Sequence, residues 1–308
     1  MIAGILSKLL RKIRLVAASD LAAASKLRYL RDVAIGFLDD SAAGKGYREY
    51  RLRGGASLIL RGGLREKSTD GKVFEEVFME KVYAPYVEAA RQIAPIILID
   101  LGANIGLSVI ALARELRPAA IVAVEPDPGN VSLLQENLRR ADLLDRCVAV
   151  QSFAGAERGF AELVDSGNGA WGMRMGAPAR TGIPVLPVED IINLADDNMA
   201  DDNLASDRTA TNVAVANPET KIVLKCDIEG AELHLFLNLR QWEDRVHYII
   251  LELHTEFLSV DHFHQCLEAS RYHWRMDGEI PPHAVLAVIG LERLAAKTVV
   301  HGEYAAGS

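Results

Sequence analysis

The stretch Ile96-Ile97-Leu98-Ile99-Asp100-Leu101-Gly102-Ala103-Asn104-Ile105-Gly106-Leu107-Ser108 decides the fold. An apolar run ends on Asp100, a glycine-spaced turn follows, and an apolar, alanine-rich segment, LSVIALARELR, comes next. The pattern predicts a buried strand, a tight turn and a helix. Glycine at such a turn permits positive φ and lets a ligand lie against bare backbone. The first helical amides then face that ligand, with the positive end of the helix dipole behind them.

A second apolar run, Ile121 to Val124, ends on Glu125 and Pro126, with Glu125 lying 25 residues after Asp100. That is near the spacing at which an acid at the end of a second strand holds ribose hydroxyls. Pro126 cannot donate to a sheet ladder and stops the strand. The two segments predict a β-α-β unit that binds a nucleoside. A dinucleotide fingerprint would need three glycines where the chain has Gly102, Asn104 and Leu107, and no phosphate loop of the G-x-x-x-x-G-K-[ST] type is present. S-adenosylmethionine fits better: a ribose for Glu125, no phosphates, a carboxylate for the turn amides of Gly102, Ala103, Asn104 and Gly106, and an ammonium for nearby carbonyls or Asp100. Ser108 opens the helix beside the turn. A nicotinamide-dependent oxidoreductase and a non-catalytic nucleoside-binding module are the alternatives on the same unit.

Half of the 308 residues are apolar, so the chain is globular, and no run of about 18 apolar residues predicts a membrane span. Cys147, Cys226 and Cys266 are widely spaced, with no zinc or disulfide pattern, which points to a reducing, cytoplasmic setting. A net charge of −8 weighs against a nucleic-acid partner. The first residues predict an amphipathic helix with Ile2, Ile5, Leu6, Leu9, Leu10 and Ile13 on one stripe and Lys8, Arg11, Lys12 and Arg14 between them. Packing on the domain or a dimer partner is the preferred role for residues 1–31, and peripheral contact with an anionic membrane the alternative. Charges interrupt the stripe and no cleavage site follows, against a signal peptide.

YREYRLR and ASLILRG predict two strands joined at Gly54-Gly55, and Thr69 or Asp70 an N-cap for a helix presenting Phe74, Val77, Phe78 and Val82. These belong to an extension of helices and short strands over 1–90, ahead of a nucleoside-binding domain over 91–308. A helix over 130–140 and a third strand from Cys147 to Phe153 follow, with a hairpin through Glu157-Arg158-Gly159. Ser152 and Phe153, at that strand's end, are placed to flank the adenine. The stretch 193–220 is polar and acidic and reads as a long mobile loop.

Lys221 to Glu232, KCDIEGAE at its centre, predicts another strand ending on acids. Ligands of open α/β sheets sit at the carboxyl ends of strands, which puts Asp227 and Glu229 beside the cofactor. The strand YIILELH adds Glu252 and His254 at the same edge. Asp227 or His254 is the expected general base, and Glu252 an acid that orients the imidazole or acts itself. Together with Glu229 these residues could also hold magnesium or manganese, the less favoured reading. AVLAVI, Ala284 to Ile289, predicts a last strand returning antiparallel into a mostly parallel sheet.

IDLGANIG, VEPDPGN with a later ENL, and KCDIEGAE followed by IILELH resemble the FkbM family of S-adenosylmethionine-dependent methyltransferases over roughly residues 50–290. The resemblance implies a class I methyltransferase fold, a Rossmann-like three-layer sandwich on a seven-stranded sheet with an antiparallel last strand. It implies methyl transfer to the oxygen of a sugar, polyketide or related metabolite. It carries Asp100, Gly102, Asn104, Gly106, Glu125 and Asp227 over as cofactor positions. Gln151-Ser152-Phe153 departs from the small residues usual there, and Cys226 from the commoner aliphatic. No prolyl-aromatic motif of the Asn-Pro-Pro-Tyr kind stands at Asp227, which favours oxygen over a base nitrogen as acceptor.

Overall fold

The computed structural model describes residues 2–38, 46–62, 68–165, 173–201, 220–281 and 284–297. In chain order these form α1 (Ile2–Ala18), α2 (Ala23–Leu38), β1 (Tyr47–Arg51), β2 (Ser57–Arg61), α3 (Asp70–Glu75) running into one π-helical turn (Glu76–Glu80), α4 (Ala84–Gln92), β3 (Ile96–Leu101), α5 (Leu107–Leu116), β4 (Ala120–Glu125), α6 (Pro128–Arg140) and β5 (Cys147–Gln151). Then come β6 (Phe153–Gly155), β7 (Gly159–Asp165), β8 (Met173–Pro178), β9 (Ile183–Pro187), α7 (Val188–Asp201), β10 (Lys221–Cys226), α8 (Glu232–Leu237), β11 (Val246–His254), α9 (Val260–Ala269), β12 (Tyr272–Asp277) and β13 (Leu286–Ala296).

The main sheet has seven strands in the order β12-β13-β11-β10-β3-β4-β5. β5, β4, β3, β10 and β11 run parallel, and β13 pairs antiparallel with both β11 and β12. This strand order, with its reversed last strand, is the class I methyltransferase fold. β3 and β4 are buried at every residue, as parallel strands covered on both faces must be. Successive side chains alternate between two apolar layers. Leu98, Ile121, Val223 and Ile250 face α4, α5 and α6, while Ile97, Ile99, Val122, Leu224 and Leu251 face α7, α8 and α9. β13 begins at Leu286, two residues later than the apolar run AVLAVI predicts, and continues to Ala296.

Three local expectations are corrected. Thr69 makes no side-chain cap at the start of α3; the Asp70 carboxylate instead accepts from the backbone and guanidinium of Arg61 at 2.8–3.0 Å. The turn through Glu157-Arg158-Gly159 does not close a hairpin, because β9 lies between β6 and β7 in a separate four-stranded sheet ordered β6-β9-β7-β8. Residues 193–201 belong to α7, which buries Val188, Ile191, Ile192 and Ala195 at helical spacing beneath its acidic surface; 202–219 lie outside the described residues. The three cysteines are buried and unbonded.

The buried cluster on the α5 face runs across residue 90 without a break: Val16, Tyr29, Tyr50 and Phe74 belong to it with Leu98, Val109 and Tyr248. Phe74 stacks on Tyr50 at 5.2 Å between ring centroids, with Tyr29 and Phe78 at its other edges. Asn137 of α6 accepts from the Ile59 amide and donates to the carbonyls of Ile59 and Ile105, tying β2 to the turn that follows β3. Phe74→Ala should therefore cost about 3–5 kcal/mol of the whole molecule's stability and leave one cooperative transition in chemical denaturation. A small loss confined to a separate early transition would mean that the first 90 residues fold apart from the sheet.

Candidate active site

The strand order reverses between β3 and β10, and the carboxyl ends at such a switch point form a crevice. β10 and β3 pair in register with Lys225 beside Asp100 and Cys226 beside Leu101. The Lys225 ammonium lies 3.2 Å from Asp100 Oδ1 and 3.4 Å from Asp227 Oδ2, and donates to the Gly102 carbonyl at 3.0 Å. Burial alone would lower the Lys225 pKa; Asp100 and Asp227 outweigh it and hold the group protonated, well above the ordinary lysine value. Asp100 also accepts from Ser108 Oγ at 2.6 Å and is completely buried.

Asp100 therefore lies beneath the turn and does not line the cavity, which corrects its expected contact with the ligand. Gly106 does not line it either. Both glycines are required by the protein's own packing. Gly102 has φ 81°, and a Cβ there would meet the Asp227 carbonyl oxygen at 1.7 Å; Gly106 has φ 86°, and a Cβ would meet Leu134 Cδ1 at 2.6 Å. The amides of Gly102 and Ala103 donate to the Val124 carbonyl, that of Asn104 to Glu125 Oε2, and that of Gly106 to the Ala103 carbonyl. These four amides are engaged within the turn and are not presented to an anion.

One cavity of about 450 Å³ runs along this edge. At one end it is lined by Ala103, Asn104, Ser108, Glu125, Pro126, Ser152 and Phe153, all expected there. Glu125 Oε1 accepts from the Asp127 amide and Asn130 Nδ2, each at 3.0 Å, and Oε2 accepts from the Asn104 amide at 2.9 Å. Burial raises its pKa and these three donors oppose the rise. Oε2 retains acceptor capacity for a ligand hydroxyl. Asn130 in turn accepts from Arg61, which Asp70 grips, so the N-terminal hairpin braces the acid. Ser152 is fully buried, and among the described residues neither its Oγ nor Asn104 Oδ1 has a hydrogen-bond partner. Polar atoms stranded in this way fit a ligand that brings hydrogen-bonding edges.

At the other end stand Asp227, Glu229, Glu252 and His254, brought together as predicted, with Lys225, Arg174, Tyr83 and Glu256. The chain leaves β10 through Glu229 in the left-handed region, φ 52°, and Gly230, φ 103°, whose bare Cα lies against the Phe257 ring. His254 Nδ1 is 2.8 Å from Glu232 Oε1, and Glu232 is completely buried. The residue that orients the imidazole is thus Glu232, not Glu252, which instead accepts from the Tyr83 hydroxyl at 3.3 Å. Burial lowers the His254 pKa, but Glu232, then Asp227 and Glu229, raise it to about 9. At neutral pH His254 is an imidazolium, which corrects the neutral base expected of it. Burial and the neighbouring Asp227 raise Glu229 to about 7 and Glu252 to about 8.

Asp227, Glu229 and His254 each bring a ligand atom within 4.8 Å of the others. His254 Nε2 lies 3.7 Å and Arg174 3.9 Å from Glu229 Oε2, so part of the negative charge there is already balanced and a divalent cation stays the less favoured occupant. Arg174 arrives from β8, stacked 4.5 Å above the Phe257 ring. Lys225, Glu232, Tyr83 and Arg174 were not singled out in the sequence. Lys225 alone carried a local signal, a lysine inside an apolar strand, which demands a buried partner.

No protein-family model matches the chain, and no curated protein sequence matches it. Solved structures similar to it include M. jannaschii TYW2 in complex with AdoMet, 12% identical over 82% of this chain and 89% of that one, with a TM-score of 0.36. The O-methyltransferase TomG from Streptomyces achromogenes, in complex with SAM, is 11% identical over 71% and 81%, with a TM-score of 0.41. A putative O-methyltransferase from Klebsiella pneumoniae is 13% identical over 69% and 79%, with a TM-score of 0.38. The strand order, not these likenesses, carries the fold assignment.

A histidine whose folded pKa is raised contributes stability that is complete below its unfolded value and lost as pH rises through the folded one. Raising pH from 6.5 to 9 should therefore destabilise the wild type by up to about 3 kcal/mol through His254. In His254→Gln this slope should flatten in denaturation curves across that range. An unchanged slope would show that the ion pair with Glu232 does not form.

Proposed function

We propose that this protein is an S-adenosylmethionine-dependent methyltransferase of the FkbM kind, acting on a hydroxyl of a sugar, polyketide or related small metabolite. The observation that carries the reading is one cavity lined at one end by Glu125, Ser152 and Phe153 and at the other by the acids around Asp227. The fold supports it, since this cavity lies at the switch point of the sheet.

Glu125 Oε2 would take a ribose hydroxyl, Ser152 Oγ a polar edge of the adenine, and Phe153 its ring face. The carboxylates near Asp227 suit a ligand of positive charge. What S-adenosylmethionine supplies when bound is a methyl group already activated on a sulfonium. The chain's own task is then to hold an acceptor hydroxyl in line and to receive its proton, and such positioning is worth up to roughly 7–11 kcal/mol.

Asp227 is the base in this reading. It is partly exposed to the cavity and held by Lys225. Glu252 sits deeper, bonded to Tyr83, with a pKa about 8 that favours its protonated form at neutral pH. The His254 imidazolium, fixed by Glu232, can donate to the acceptor oxygen and keep it beside Asp227. Exposed Val285 and Leu286 at the rim offer apolar contact to the rest of the acceptor.

With methyl-labelled S-adenosylmethionine and a panel of glycosides and polyketide alcohols, the wild type should yield a methyl ether. Asp227→Asn should lower kcat by about 10²–10⁴-fold while affinity for S-adenosylhomocysteine changes far less. Equal loss of both would remove Asp227 from the base role, and a methylated nitrogen in place of an ether would overturn the acceptor class.

A further inference from the structure

The charge of this chain is unevenly placed. Residues 1–31 hold Lys8, Arg11, Lys12, Arg14, Lys26, Arg28 and Arg31 against one acid, Asp20, in a chain whose net charge is −8. The rest of the molecule is therefore more acidic than the whole. α1 contains no acidic residue at all.

Among its described residues, α1 does not bury Leu10 and Ile13 of its apolar stripe. It is held by Val16, which is buried, by Lys12, which pairs with Glu75, and by Arg11, which reaches Glu80. Leu10 and Ile13 are left 48% and 42% exposed, although a globular helix turns its apolar stripe inward. Exposed Arg14 borders the strip, and on α2 Leu27 is 71% exposed beside Arg28.

We infer that α1 docks the protein on an anionic phospholipid bilayer, with the strip of Leu10 and Ile13 entering the headgroup region and exposed Arg14 and Arg28 facing the lipid phosphates. A helix of this make-up, with basic flanks and an apolar strip, lies in the interface plane, and Lys and Arg near an anionic surface strengthen that attachment. A bilayer asks for no complementary shape. No helix among the described residues is long and apolar enough to cross a membrane, so attachment is peripheral. The contact sits on a wall of the active-site cavity, since Glu80 both pairs with Arg11 and lines that cavity. Docking does not depend on the chemistry proposed for the site.

The test is co-sedimentation of the full chain with vesicles of phosphatidylcholine alone and of phosphatidylcholine mixed with phosphatidylglycerol. The protein should bind only the mixed vesicles, less as salt rises. The double variant Leu10→Glu/Ile13→Glu should weaken that binding by at least about tenfold with unchanged circular dichroism and melting temperature. Equal binding to both vesicle types, no binding to either, or full binding by the double variant would overturn the inference. So would a wild-type dimer in sedimentation equilibrium that the same double variant abolishes, because a second copy would then cover the strip.

Discussion

The ammonium of Lys225 is the point on which this architecture turns. A lysine in the middle of a parallel sheet is expensive to bury, and it persists only if its charge is met. Asp100, its neighbour in register on β3, meets it first, joined by Asp227 and the Gly102 carbonyl. The same contact joins the ends of the two strands at which the sheet changes direction. It draws the Gly102 turn so close to Asp227 that no side chain fits between them. Removing one partner of such a pair leaves a buried charge worth about 3–5 kcal/mol.

From that constraint the division of the cavity follows. Asp100 is spent on the interior, so the carboxylate offered to a ligand on this side is Asp227. On the β4 side Glu125 is fixed by three donors and braced through Asn130 and Arg61 by the N-terminal hairpin. The segment before the sheet is thus part of the site's support and of its wall, since Glu76, Val77 and Glu80 of the π-helical turn line the cavity. Burial, and after it the charge of Asp227, raises Glu229 and Glu252, and Glu232 with the acids beside it keeps a proton on His254 against its burial. Binding a positive group would relieve that repulsion.

What was legible in the sequence was what local backbone chemistry dictates. The strand, the two glycines with positive φ, Glu125 at the next strand's end and the acids after β10 all follow from period and spacing over a few dozen residues. The illegible part is pairing across long separations. Lys225 and Gly102 lie 123 positions apart, and His254 and Glu232 lie 22 apart on different elements. Alternation places Glu252 on the same side of the strand as His254 but does not say which acid reaches the ring. Composition misled at α7, where acidic residues masked the helical spacing of Val188, Ile191, Ile192 and Ala195. Helix α1 was legible as a helix, while the side that meets the protein is set by Lys12 finding Glu75, which no local rule supplies.

The most direct test of the account is calorimetric titration of the purified protein with S-adenosylhomocysteine, beside a Glu125→Gln control. The account predicts micromolar binding by the wild type and at least about a tenfold weakening in the control, the loss of one charge-assisted hydrogen bond worth about 1.5–3 kcal/mol. A folded wild type that binds none, or a control that binds as tightly, would contradict the placement of the nucleoside at the end of β4.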